Sequence, residues 1–193
     1  MAPEEYAYEI IASPFGDVAL VWAGGQSGAK VWEILLPSKA ASRELLSLPR
    51  RAHPDLASLA RGIERYLAGE DVPLPTNLLE QARCSPFQWS VLTAERAVPR
   101  GLVTSYSALA GYLERPRACR AVGTALARNP FPLVIPCHRT VRVDGSLGGF
   151  GGGLPMKRSL LEMEGVGFDA RGRVRPEFFL DRWTERGATQ PVV

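Results

Sequence analysis

Histidine is almost absent from these 193 residues: His53 and His138 are the only two. Cysteine is scarce as well, with Cys84, Cys119 and Cys137 an odd number at wide spacing and no Cys-x-x-Cys pair among them. That argues against a disulfide framework and against a His/Cys zinc site, and no metal is expected; the thiols read as reduced, in a reducing compartment. No apolar run reaches the roughly 18 residues that a membrane-spanning helix needs, so no membrane partner is expected. The opening Met-Ala-Pro-Glu-Glu lacks the basic and apolar segments of a secretory signal, and a cytoplasmic protein is expected. Repeats and low-complexity blocks are missing too. A net charge of +3 is too small to argue by itself for nucleic acid. What remains is ordinary: 46% hydrophobic and 22% charged residues, enough for a core in one domain or two small ones.

The first third reads as a small α/β unit, an antiparallel sheet plus a helix. Tyr8 to Ala12, Val18 to Ala23 and Val31 to Leu36 are short, rich in Val, Ile, Trp and Tyr, and separated by Pro14-Phe15-Gly16 and Gly24-Gly25. From Pro54, the residues Leu56, Leu59, Ile63, Tyr66 and Leu67 recur at helical spacing, with Gly69 as the stop. Val72 to Asn77 is proline-rich and extended, which places a domain boundary between residues 1–77 and 78–193.

The second part reads as mainly α. Ser85 caps a helix running to about Val98, with Pro86 in its first turn. Thr104 or Ser105 caps a short helix through Leu113, and Arg115-Pro116 turns the chain into a third helix, Arg117 to Arg128. Two short helices joined by a tight turn form a helix-turn-helix. The third helix has small side chains at Ala118, Ala121, Gly123, Ala125 and Ala127, which suit either tight helix packing or close approach to a DNA groove. Arg115, Arg117, Arg120 and Arg128 form either a solvated face or a binding surface. Phe131 to Pro136 reads as a buried extended approach to Cys137. After a glycine-rich stretch, Leu154 to Met163 is a last helix, with Gly165 as its stop.

The chemistry concentrates at Pro136-Cys137-His138-Arg139. A thiolate is a good nucleophile and a neutral thiol a poor one, so a neighbouring base matters. On a strand, adjacent side chains point to opposite faces, so a water between Cys137 and His138 fits better than direct contact. A basic histidine also needs a group to orient it. Glu164 and Glu162 both qualify, since a carboxylate at a helix C-terminus is electrostatically misplaced unless it has a partner elsewhere. Asn129-Pro130 is either a plain helix stop or a hinge fixing helix and cysteine.

In this order, Pro86-Phe87-Gln88, Val103-Thr104-Ser105-Tyr106, Arg120-Ala121-Val122-Gly123, Asn129-Pro130, Ile135-Pro136-Cys137-His138-Arg139 and Lys157 with Leu160-Leu161 through Glu164-Gly165 resemble the O6-alkylguanine-DNA alkyltransferase family. The resemblance implies a cofactor-free monomer, nucleoid-associated if prokaryotic, that binds double-stranded DNA containing O6-alkylguanine through the minor groove and flips the base into a pocket. It implies that Cys137, activated through water by His138 and Glu164, takes the alkyl group once and irreversibly. Arg120 would fill the vacated stack, and Tyr106 would rotate the 3′ phosphate and assist protonation of the leaving guanine. Asn129 would be the hinge and Lys157 would lie near O6. Arg117, Ala121, Gly123 and Arg128 would meet DNA, and Pro136, Thr140, Phe150 and Gly151 would line the pocket.

Two positions depart from the family pattern: Thr140 stands where an aliphatic residue is usual, and Phe150 where a tyrosine is common. The N-terminal zinc ligands and the fused regulatory domain of some members have no counterpart. Three rivals remain: a non-catalytic reader of alkylated DNA, a helix-turn-helix regulator with a structural cysteine, and a cysteine hydrolase. The hydrolase would need an oxyanion site that the sequence does not disclose.

Overall fold

A computed structural model describes residues 5–25, 28–38, 40, 45 and 47–180. The chain forms two compact units. One runs to Arg83 and takes in Pro130–Val134; the other comprises Cys84–Asn129 and everything from Ile135 onward.

In the first unit, β1 (Glu5–Ile11), β2 (Val18–Gly25) and β3 (Gly28–Leu35) form an antiparallel sheet in that order. The central strand is the most apolar, and Val18, Ala19, Leu20 and Trp22 are buried. A bulge between Val21 and Trp22 shifts its register against β3. Helix α1 (Ala57–Leu67) buries Leu59, Ile63, Tyr66 and Leu67, the face its spacing predicts. Its start lies three residues later than expected, because Pro54–Leu56 forms a 3₁₀ turn capped by His53, whose ring accepts from the Asp55 amide. The compact unit also extends past the expected boundary at residue 77. Val31 donates to the Leu78 carbonyl at 2.7 Å and accepts from the Glu80 amide at 2.9 Å, so backbone pairing to β3 continues beyond the prolines.

The second unit holds α2 (Pro86–Arg96), α3 (Tyr106–Tyr112), α4 (Cys119–Ala127) and α5 (Gly153–Met163). Ser85 caps α2 by accepting from the Gln88 amide, and Ser105, rather than Thr104, caps α3. Thr104 belongs instead to β4 (Thr104–Ser105), which pairs in parallel with β5 (Thr140–Val141), a contact 36 positions apart that no local pattern announces. Between α3 and α4 lies a 3₁₀ turn, Pro116–Ala118, so the third helix is shorter than the sequence suggests. Val103, Val141, Leu161, Val166 and Val174 form a core cluster here.

The approach to Cys137 is buried throughout but is not a simple extended strand. Leu133 has φ 74°, and Cys137–Arg139 is a 3₁₀ turn. Opposite-face alternation therefore does not govern Cys137 and His138.

Candidate active site

Four segments meet this turn: the residues after α2 at Val98, the end of α4 at Asn129, the glycine-rich loop at Phe150, and the end of α5 at Glu164. Pro136 precedes Cys137, and the Pro136 carbonyl accepts from the Arg139 amide at 2.8 Å, closing the turn. Asn129, just past α4, donates from Nδ2 to the Ile135 carbonyl at 3.0 Å and hydrogen-bonds the Cys137 side chain. One amide thus ties the helix end to Cys137. Burial pushes the Cys137 thiol up to about 11, with Asn129 and Lys157 pulling the other way. The resting sulfur is a protonated thiol that needs a base.

His138 is fully buried. Its Nε2 lies 3.2 Å from Glu164 Oε1. A carboxylate only accepts, so Nε2 carries the proton and Nδ1 the lone pair. Burial lowers the His138 pKa and Glu164 opposes that, leaving a neutral imidazole at neutral pH. Glu164 ends α5, with Gly165 at φ 90° directly behind it. Arg139 grips the same carboxylate with both prongs, Nε to Oε2 at 2.8 Å and an Nη to Oε1 at 2.7 Å, and its other Nη reaches the Val98 carbonyl at 2.7 Å. Burial alone would raise the Glu164 pKa; hydrogen bonds from His138 and Arg139 outweigh it and hold the carboxyl well below its ordinary value. Glu162, the other carboxylate at this helix end, pairs outward with Arg158 at 2.9 Å.

Lys157, buried on α5, donates to the Thr140 carbonyl at 2.7 Å and reaches the Gly149 carbonyl at 3.4 Å. Burial lowers its pKa to about 8. The Phe150 and His138 rings meet edge to face, at 77° with centroids 6.2 Å apart.

The family model for the 6-O-methylguanine DNA methyltransferase DNA binding domain matches residues 86–166. A methylated-DNA–protein-cysteine methyltransferase of Methanothermobacter thermautotrophicus is 37% identical, over 82% of this chain and 85% of its own. The crystal structure of Mycobacterium tuberculosis O6-methylguanine methyltransferase superposes with TM-score 0.67 at 31% identity, covering 82% of this chain and 92% of that one. The Mycobacterium tuberculosis protein in complex with DNA gives 0.66 at 32% identity over the same shares. The chain belongs to the methylated-DNA–protein-cysteine methyltransferase family.

Tyr106 opens α3 in this alkyltransferase chain. Its hydroxyl would lie 2.9 Å from a Cβ added at Gly148, where φ is +67°, so glycine is needed there on both counts. Across the ring, a Cβ at Gly123 would meet Tyr106 at an ordinary 3.8 Å, so packing does not require that glycine. The residues of α4 divide between two faces. Val122, Ala125 and Leu126 are buried, while Arg120, Ala121, Thr124, Ala127 and Arg128 form an exposed stripe, with Arg117 exposed on the preceding turn. Gln88 reaches from α2 to hold the end of α4, donating to the Arg128 carbonyl at 2.9 Å. Gly151 is exposed beyond Phe150.

Sequence reading missed two residues. Arg139 was only a neighbour, yet it is the main clamp on Glu164. Glu95 was not singled out and is fully buried; the Thr140 hydroxyl donates to it. Its signal was present: Phe87, Val91 and Glu95 are spaced four apart, placing a carboxylate on the apolar face of α2. Among the described residues, no group of three or more His, Cys, Asp or Glu is placed to hold a metal ion, and no helix is long and apolar enough to cross a membrane.

Proposed function

We propose that the protein repairs DNA by taking the alkyl group from O6-alkylguanine, chiefly O6-methylguanine, onto Cys137. The observation that carries this reading is a thiol bonded by Asn129 and followed directly by a buried histidine backed by Glu164, in a chain of this family. The relatives' names give the substrate class, and the Mycobacterium tuberculosis neighbour in complex with DNA supports a DNA partner.

The exposed stripe of α4 enters the minor groove, the base swings out of the stack, and Arg120 fills its place. The Cys137 proton passes through a water to the lone pair of His138, and Glu164 stabilises the imidazolium. The sulfur attacks the alkyl carbon in line; the C–O bond breaks and its electron pair stays on guanine. Tyr106, its phenol held protonated by burial, donates a proton to the leaving base. Tyr106 regains a proton from solvent and His138 returns one, so the books balance in protons and charge. The product thioether is stable, and each molecule acts once.

Incubation with a duplex containing O6-methylguanine should add one methyl group to the intact protein, mapped to Cys137. No added mass, or a methyl group on Cys84 or Cys119, rejects the reading. More than one guanine restored per protein molecule rejects the single-use step.

A further inference from the structure

Glu95 has no part in the chemistry above, yet it is fully buried beside it. Its Oε2 accepts from the Thr140 hydroxyl, and its Oε1 is buried without a hydrogen-bond partner among the described residues. The Thr140 carbonyl accepts from Lys157. A single residue therefore joins a buried carboxylate to a buried ammonium, each from a different helix. The charged and titratable groups that face Glu95 are Lys157 from α5, Arg139 and Cys137 from the 3₁₀ turn, and Tyr106 from α3. A residue serving packing alone would be aliphatic here, because an incompletely paired buried carboxyl is costly.

We propose that Glu95 is a positioning residue for alkyl transfer: through Thr140 it fixes Lys157, and its charge sets how readily the Cys137 thiol gives up its proton. The proposal takes its meaning from the alkyl-transfer reading, but its measurement does not depend on that reading. Burial pushes the Glu95 carboxyl up to about 7, with Thr140, Lys157 and Arg139 pulling it down. Below that pH Glu95 is neutral, and the Lys157 cation acts unopposed in favour of the thiolate. Above it Glu95 is an anion, which raises the Cys137 pKa and keeps Lys157 charged. Cys137 reactivity should accordingly climb less steeply through neutrality than the about tenfold per pH unit of an isolated thiol.

The test is the rate of Cys137 alkylation by iodoacetamide, followed by peptide mapping across about pH 5.5 to 8.5. The wild type should show a break near neutral pH that Glu95→Gln lacks. Profiles of the same shape, including one merely scaled by a constant factor as a structural defect would give, overturn the proposal. Should Glu95→Gln fail to fold, Thr140→Val decides. Losing the donor should move the break to higher pH, and a break left in place counts against the proposal. Methyl transfer from O6-methylguanine duplex by the wild type is measured alongside; its absence rejects the functional reading and leaves the coupling to be judged on the thiol profile.

Discussion

The two units solve burial in opposite ways. Glu95, Thr104, Ser105, His138, Arg139, Thr140, Lys157 and Glu164 are the buried polar residues among those described, and all eight lie in the second unit. The first unit buries a sheet and a helix whose inner faces are apolar. Their outer faces both carry ion pairs. In the first unit Arg51 pairs with Glu5 at 2.5 Å, Arg65 with Glu70 at 2.6 Å and Arg83 with Glu33 at 3.3 Å; in the second, Arg158 pairs with Glu162 at 2.9 Å and Arg175 with Glu177 at 3.2 Å. Among the described residues, Arg117, Arg120 and Arg128 have no ion pair. The difference lies inside: one unit keeps its interior apolar, while the other spends stability on buried polar groups and leaves Arg117, Arg120 and Arg128 of one surface stretch without a carboxylate.

The sharpest way to break this comparison is Cys137→Ala. It should remove transfer entirely, by intact mass, while leaving the unfolding curve near that of the wild type, since the resting thiol is uncharged.

Stability separates the units next. Glu164→Gln leaves Arg139 buried without its counter-ion and should cost about 3–5 kcal/mol in urea unfolding near neutral pH. Ile63→Ala, in the apolar core of the first unit, should cost a comparable 2–5 kcal/mol or so. Only pH tells them apart. Folding depresses the Glu164 pKa, so its contribution is complete above its unfolded value of 4.5 and is lost as the pH falls below it. The Glu164→Gln difference should therefore shrink in acid while the Ile63→Ala difference stays flat. A flat Glu164→Gln difference would mean that the network is not held by charge.

The outer faces give a smaller effect. Arg120→Ala leaves part of the unstacking cost, a few kcal/mol, uncompensated, so duplex repair should slow by at least about tenfold while reaction with free O6-methylguanine base is unchanged. Equal rates on duplex would remove the role given to Arg120. Smallest of all, Glu162→Gln breaks an exposed pair one helical turn long and should change stability by no more than about 0.5 kcal/mol. A loss near that of Glu164→Gln would show that the choice between the two carboxylates had been made wrongly.

The same contrast explains what could be read from sequence. The first unit was legible nearly element by element, because β-rich runs bounded by proline and glycine and the Leu59-Ile63-Tyr66 spacing are local signals that the packed core obeys. In the second unit, helix caps at Ser85 and Ser105 and the Pro-Cys-His-Arg run carried as far as the cysteine turn. The Arg139–Glu164 fork joins residues 25 apart, and the Thr140–Glu95 bond joins residues 45 apart. Such pairs leave no periodicity. Glu95 betrayed itself only by standing where α2 should be apolar. Thr140, a departure from the family pattern, stands explained as the donor to that carboxylate.

Pro130–Val134 belongs to the first unit although the chain on either side belongs to the second. Phe131 is wholly buried, and the Pro130 carbonyl accepts from Ile34 on β3. The chain therefore cannot be divided with a single cut. A fragment starting at Cys84 would carry five residues whose partners had been left behind, with a bare phenylalanine a few positions before Cys137. During synthesis the order of events is constrained as well: the N-terminal sheet must wait for residue 134 to leave the ribosome before its own unit is whole.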